Sequence, residues 1–150
     1  MAARLRQQPA LADSLIALHG GLGAGKTSFV RHLLRALGVE GRIKSPTYTV
    51  VETYDCAPLS PGAAPLRISH FDFYRFDDPQ ELEDAGLREL FAAPGLKLCE
   101  WPEKAAGLLP AADLSLHIDW ATGTDDDAAA DATRRVQAQA GSAHGLALLT

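Results

Sequence analysis

At 150 residues the chain is long enough for one hydrophobic core and too short for two, which predicts a single domain. Hydrophobic residues make up 47% and charged residues 22%, a globular balance that excludes wholesale disorder and fibrous classes. Fourteen Lys and Arg against nineteen Asp and Glu give a net charge of −5, which argues against gripping bare nucleic acid by phosphate neutralisation alone. No apolar stretch approaches the roughly 20 residues that span a bilayer. The segment Met1–Asp13 is interrupted by Arg4, Arg6, Gln7, Gln8 and Pro9 and does not read as a secretory signal. Cys56 and Cys99 have no CxxC spacing, so neither a disulfide framework nor a cysteine zinc site is indicated. These bounds predict a soluble, cytoplasmic protein with no membrane association.

In chain order, Ser14–His19 is a short apolar run of buried-strand length that ends in the glycine cluster Gly20-Gly21-Leu22-Gly23-Ala24-Gly25. From Lys26 to Leu37 the apolar residues Phe29, Val30, Leu33, Leu34 and Leu37 recur at helical spacing, and Gly38 is a natural stop. Thr47–Tyr54 is β-branched or aromatic at almost every place and predicts a strand. Asp55–Pro65, with Pro58, Pro61, Gly62 and Pro65, reads as a surface loop, and Leu66–Phe71 alternates as the return strand of a hairpin. Asp78-Pro79-Gln80-Glu81 carries an N-cap acceptor, a proline at the first helical place and a glutamate at the third, so a helix is expected there, broken at Gly86. Gly95–Cys99 and Leu114–Trp120 read as further strands, and Asp125–Ala132, low in complexity, as a mobile loop. Arg134–Ala140 and Leu146–Leu149 are expected to close the domain as a hairpin.

Gly20 to Thr27 satisfies G-x-x-x-x-G-K-[ST] between a predicted strand and a predicted helix, the context that a P-loop requires. Glycines let successive backbone N–H groups turn inward to cradle phosphate oxygens. Lys26 can reach the β- and γ-phosphates, the Thr27 hydroxyl can bind Mg²⁺, and the helix beginning near Lys26 points its positive end at the same anion. Hydrolysis needs in addition a carboxylate for the metal and a group that positions water. Glu100, at the end of an apolar strand, and Asp72, at the end of another, are the candidates; each also reads as a solvated or turn-capping acid. Trp101 taken alone reads better as a packing aromatic, His70 as a satisfied strand histidine, and Tyr74 and Arg75 as scaffolding. Lys44-Ser45-Pro46-Thr47 is either a γ-phosphate-sensing loop or a plain turn.

Together these segments resemble the TsaE (YjeE) family of small bacterial P-loop ATPases. The residues that carry the resemblance are Gly20–Ser28 with Phe29, Ser45-Pro46-Thr47-Tyr48-Thr49 running into Val50-Val51-Glu52, and His70-Phe71-Asp72-Phe73-Tyr74-Arg75. Glu81-Leu82 with Gly86, and Glu100-Trp101-Pro102-Glu103, complete the set. The resemblance implies an α/β P-loop NTPase-like sheet with helices on its faces and an antiparallel hairpin inserted after the first helix. It implies that Gly21, Leu22, Gly23, Ala24, Gly25, Lys26, Thr27 and Ser28 bind nucleotide, with Ser45 and Thr47 in a switch-like loop and Trp101 near the nucleotide. Thr27 and Glu100 would bind Mg²⁺, and Asp72 would be the essential acid. Two departures stand out: family members usually carry an acid where this chain has Gly21, and a longer helix, with a threonine by the nucleotide, where it has only Met1–Leu11 before the first strand.

The function so implied is an ATP- and Mg²⁺-dependent ATPase of tRNA threonylcarbamoyladenosine modification, acting on a TsaB–TsaD partner complex and touching tRNA only indirectly. Slow basal hydrolysis is expected, because Arg75 is the only nearby candidate for a second phosphate-facing cation. The competing reading is a small P-loop kinase acting on a metabolite; the segment Asp77–Pro94, where an arginine-bearing lid would lie, holds only Arg88.

Overall fold

The computed structural model describes residues 1–78, 81, 86–121 and 133–150. The expected loop Asp125–Ala132 lies outside the described residues, as do Pro79, Gln80 and Leu82 of the expected helix start. Helix α1 (Ala2–Gln7) and a 3-10 turn (Pro9–Ala12) lead into β1 (Leu15–His19), and α2 (Lys26–Ala36) follows the glycine loop. A hairpin of β2 (Val51–Cys56) and β3 (Leu66–Asp72) comes next, then α3 (Leu87–Ala92) and β4 (Leu96–Glu100). A 3-10 turn (Pro102–Ala105), β5 (Leu114–Trp120), β6 (Arg134–Ala140) and α4 (Ala143–Leu149) complete the order.

The strands form one sheet in the order β2-β3-β4-β1-β5-β6. Its four central strands are parallel, and β2 and β6 close the edges in antiparallel fashion. The architecture is the expected α/β sheet with the β2–β3 hairpin inserted after α2. Strand periodicity splits the core in two. Ile16, Leu18, Ile68, Leu96, Leu98, Leu114 and Leu116 pack under Val30, Leu33 and Leu34 of α2, with Leu5 of α1 and Leu148 of α4 in the same cluster. Leu15, Phe71 and Cys99 point the other way, against Leu87 and Phe91 of α3. Helix α2 stops as its sequence predicts: Gly38 takes φ 95°, and the Val39 N–H reaches back to the Leu34 carbonyl at 3.0 Å.

Two expectations about elements fail. The strand expected from Thr47 begins only at Val51. Residues 47–50 form a turn in which the Thr49 and Val50 N–H groups both donate to the Pro46 carbonyl, at 3.2 and 2.8 Å. Local β-propensity loses there to side-chain bonds described below. The closing hairpin is absent: β6 pairs with β5, and Leu146–Leu149 lies in helix α4. The Ser142 hydroxyl caps that helix by accepting from the Gly145 N–H at 3.2 Å. A Cβ at Gly145 would collide with the Asp113 carbonyl, so the glycine is what lets α4 lie against the start of β5. A short apolar run does not by itself separate strand from helix, and the Ser142 cap was the available signal.

Candidate nucleotide-binding site

Parallel strands end together, and the loops beyond their carboxyl ends are where α/β sheets bind ligands. Here the rows that face α2 are apolar along most of their length and turn polar at that end. Leu66 and Ile68 are followed by His70 and Asp72, and Leu96 and Leu98 by Glu100. Asp72 and Glu100 are cross-strand partners in register, so both acids emerge side by side beneath the first turn of α2. Both are almost completely buried.

The glycine loop connects β1 to that turn. Gly20 lies so close to β5 that a Cβ would overlap the Ile118 carbonyl oxygen, and Gly25, at φ 110°, forms the left-handed N-cap of α2. Gly21 has neither constraint: a Cβ there meets nothing within 4 Å, so a side chain at this place would fit. Lys26 turns back into the loop. Its ammonium donates to the Gly20 and Gly21 carbonyls at 2.6 and 2.9 Å and sits 3.9 Å from the centre of the Trp101 ring. Burial lowers the pKa of this ammonium, against the opposing pull of Glu100, Glu103 and Asp72.

The two acids have separate donors. The Thr27 hydroxyl donates to Glu100 Oε2 at 2.8 Å, and His70 Nε2 lies 2.7 Å from Glu100 Oε1. Asp72 Oδ2 accepts from the Ser45 and Thr47 hydroxyls at 2.9 and 2.8 Å, and its Oδ1 from the Tyr74 N–H at 3.0 Å. The bond from Thr47 is what holds residues 47–50 out of the strand. Two non-glycine residues beside the site adopt left-handed backbone, Val50 at φ 68° and Trp101 at φ 57°, a strain of the kind that collects at functional sites.

A cleft of about 300 Å³ is lined by Leu22, Gly23, Gly25, Lys26, Thr27, Ser28, Ser45, Thr47, Asp72, Tyr74, Glu100 and Trp101. The structure therefore brings nearly all the candidate residues around one space. Gly21 and Ala24 belong to the same loop without lining the cleft. Thr27 and Glu100 offer a hydroxyl and a carboxylate, hard oxygen donors that fit Mg²⁺, an ion usually held by one or two carboxylates together with substrate phosphates. Among the described residues there is no group of three or more His, Cys, Asp or Glu side chains placed to hold a metal ion.

Sequence reasoning missed three neighbours. Tyr74 is a wall of the cleft, with its ring 5.0 Å from that of Trp101. Arg134, at the start of β6, donates from Nε to the Ala24 carbonyl at 3.0 Å and lies 3.1 Å over the Trp120 ring. No local signal links residues 110 apart. His70 bonds to Glu100, and the period-two alternation that puts it on the same face as Asp72 was the signal available. Arg75 needs correcting as the nearby cation: its guanidinium stacks 3.8 Å over the Tyr48 ring and does not line the cleft.

Residues 1–130 match the family described as threonylcarbamoyl adenosine biosynthesis protein TsaE. The chain belongs to the TsaE family. The tRNA threonylcarbamoyladenosine biosynthesis protein TsaE of Haemophilus influenzae is 45% identical over 106 residues, covering 71% of this chain and 63% of that protein. Its namesake in Bacillus subtilis is 36% identical over 116 residues, 77% of this chain and 68% of the relative. The chain thus spans less than two thirds of the length of the Haemophilus relative. The crystal structure of Bacillus subtilis YdiB superposes with a TM-score of 0.57 at 28% identity, covering 81% of this chain and 71% of that one. The resemblance to TsaE read from separated motifs is thereby established, and with it the fold.

Proposed function

We propose that this TsaE chain is a single-domain cytoplasmic ATPase that binds ATP with Mg²⁺ and hydrolyses it slowly alone. Its cycle sustains the turnover of a TsaB–TsaD complex that places threonylcarbamoyl on tRNA adenosine. The observation that carries the reading is the convergence of Lys26, Thr27, Glu100 and Asp72 on one cleft below the first turn of α2. The relatives' names supply the pathway. No helix among the described residues is long and apolar enough to cross a membrane.

In this reading the loop amides and Lys26 hold the phosphates. Lys26 exchanges the Gly20 and Gly21 carbonyls for phosphate oxygens, which are stronger acceptors for an ammonium. Thr27 and Glu100 hold Mg²⁺, which when bound offsets charge on the β- and γ-phosphate oxygens. Asp72 ties the Ser45–Thr47 loop to the end of β3, so a γ-phosphate that competes for those hydroxyls is felt at Asp72. Among the described residues lining the cleft, Lys26 is the one cation, and this accounts for slow basal hydrolysis. Partner docking then supplies order or charge.

The test measures ATP turnover by the chain alone and with TsaB and TsaD, together with capture of that pair in ATP, ADP and no nucleotide. Slow turnover accelerated by the pair, and capture that depends on the nucleotide, are expected. Fast turnover indifferent to the pair would sink the reading.

A further inference from the structure

Glu100 and Asp72 face each other directly across β3 and β4, and like charges so placed repel. Glu100 is nonetheless drawn along the diagonal toward His70, which pairs in register with Leu98 rather than with Glu100. A carboxylate only accepts hydrogen bonds, so the 2.7 Å contact is an Nε2–H donation from His70. The ring is completely buried, and its Nδ1 has no partner among the described residues. An unmatched bare nitrogen is a smaller penalty than an unmatched N–H, which again places the hydrogen on Nε2. The consequence for Glu100 is specific. One oxygen is fixed by a strand and the other by Thr27 of α2, so the side chain is held from both sides and Oε2 is aimed at the hydroxyl with which it would share Mg²⁺.

We infer that His70 is a positioning residue for the metal site: its Nε2–H holds Glu100 turned toward Thr27 and away from Asp72. The inference rests on the reading of Thr27 and Glu100 as the Mg²⁺ pair. Partners that orient a metal ligand in this way typically account for roughly 10- to 100-fold in metal affinity.

The test compares three variants of the full chain. His70→Gln places an amide N–H at the reach of Nε2, His70→Asn places it at the reach of Nδ1, and His70→Leu removes the donor. ADP affinity is measured calorimetrically across a Mg²⁺ titration and again in EDTA, with thermal melts alongside. His70→Gln should keep the wild-type Mg²⁺ dependence. His70→Asn, and His70→Leu where it folds, should need about tenfold more Mg²⁺ or above, with ADP affinity in EDTA unchanged. Equal Mg²⁺ dependence in Gln and Asn variants, whether both retained or both impaired, overturns the role of Nε2. A wild-type chain whose ADP affinity ignores Mg²⁺ overturns the metal pair itself and the His70 inference with it.

Discussion

The carboxyl end of the sheet carries two like pairs, one on each face, and they settle their repulsion in opposite ways. On the α2 side, Asp72 and Glu100 stand in register on adjacent strands, and each collects its own donors: two hydroxyls and an amide for Asp72, a hydroxyl and an imidazole for Glu100. On the far side, His19 and His117 stand in register on β1 and β5 with their rings stacked at 4.4 Å, and the Glu103 carboxylate lies 3.4 Å from His19. There His19 gives up its charge more readily. Burial first, and His117 second, lower the pKa of His19 against a smaller opposing pull from Glu103. A polar pair at strand ends is therefore not a site by position alone. The acids differ because a glycine loop, a lysine and the hydroxyls of Ser45 and Thr47 meet them on their face.

Lys26→Ala tests the acid side most severely. It removes the one cation that the described cleft lining contains, along with a charge-assisted hydrogen bond to phosphate worth about 1.5–3 kcal/mol. ADP affinity should fall by roughly 10- to 150-fold, since each 1.4 kcal/mol is a factor of ten. Calorimetric titration checks it; a loss below about threefold would mean that the loop does not grip phosphate through this side chain.

Asp72→Asn should have the next largest effect, and it acts on turnover rather than binding. The amide still offers an oxygen to Ser45 and Thr47 but loses the charge, so ATP hydrolysis should drop by about 100-fold, the lower range for loss of a positioned acid or base. ADP affinity should move little, while the melting temperature should fall, because the amide NH2 then meets the Tyr74 N–H that Oδ1 accepted. Normal single-turnover hydrolysis would remove Asp72 from the chemistry and leave it as a loop tether.

Most of this site was legible because its parts obey local rules. Gly20 to Thr27 has a fixed spacing, and acids that end the apolar runs Leu66–Phe71 and Leu96–Cys99 must share an edge once the strands are parallel. The rest depends on contacts between distant segments. Thr47 reads as strand until Asp72 takes its hydroxyl, and Trp101 reads as packing until its left-handed backbone and the Lys26 ammonium place the ring at the cleft. Arg134 reaches Ala24 only because β6 folds back along β5. Leu146–Leu149 was misread because four residues are too few to show a period; burial of Leu148 and the fit of Gly145 against Asp113 decide for helix.

The smallest predicted effect belongs to the imidazole side and depends on pH. The folded-state pKa of His19 lies below its ordinary value of 6.5, so near and below that pH the unfolded chain takes up the proton more readily than the folded one. Stability therefore falls as pH drops through 6.5 toward the folded pKa and is fully regained above 6.5. His19→Gln removes this proton uptake and relieves the repulsion with His117. The loss of melting temperature between pH 7.5 and 5.5 should shrink by about 1–2 °C, a small shift because the ring is partly solvated. At pH 7.5 the variant should bind ADP within about twofold of wild type, since its side chain faces away from the cleft. Parallel melts of the two proteins at both pH values decide it: an identical loss in both would place the pH sensitivity elsewhere, and a large fall in ADP affinity would mean that the two faces are coupled through Gly20.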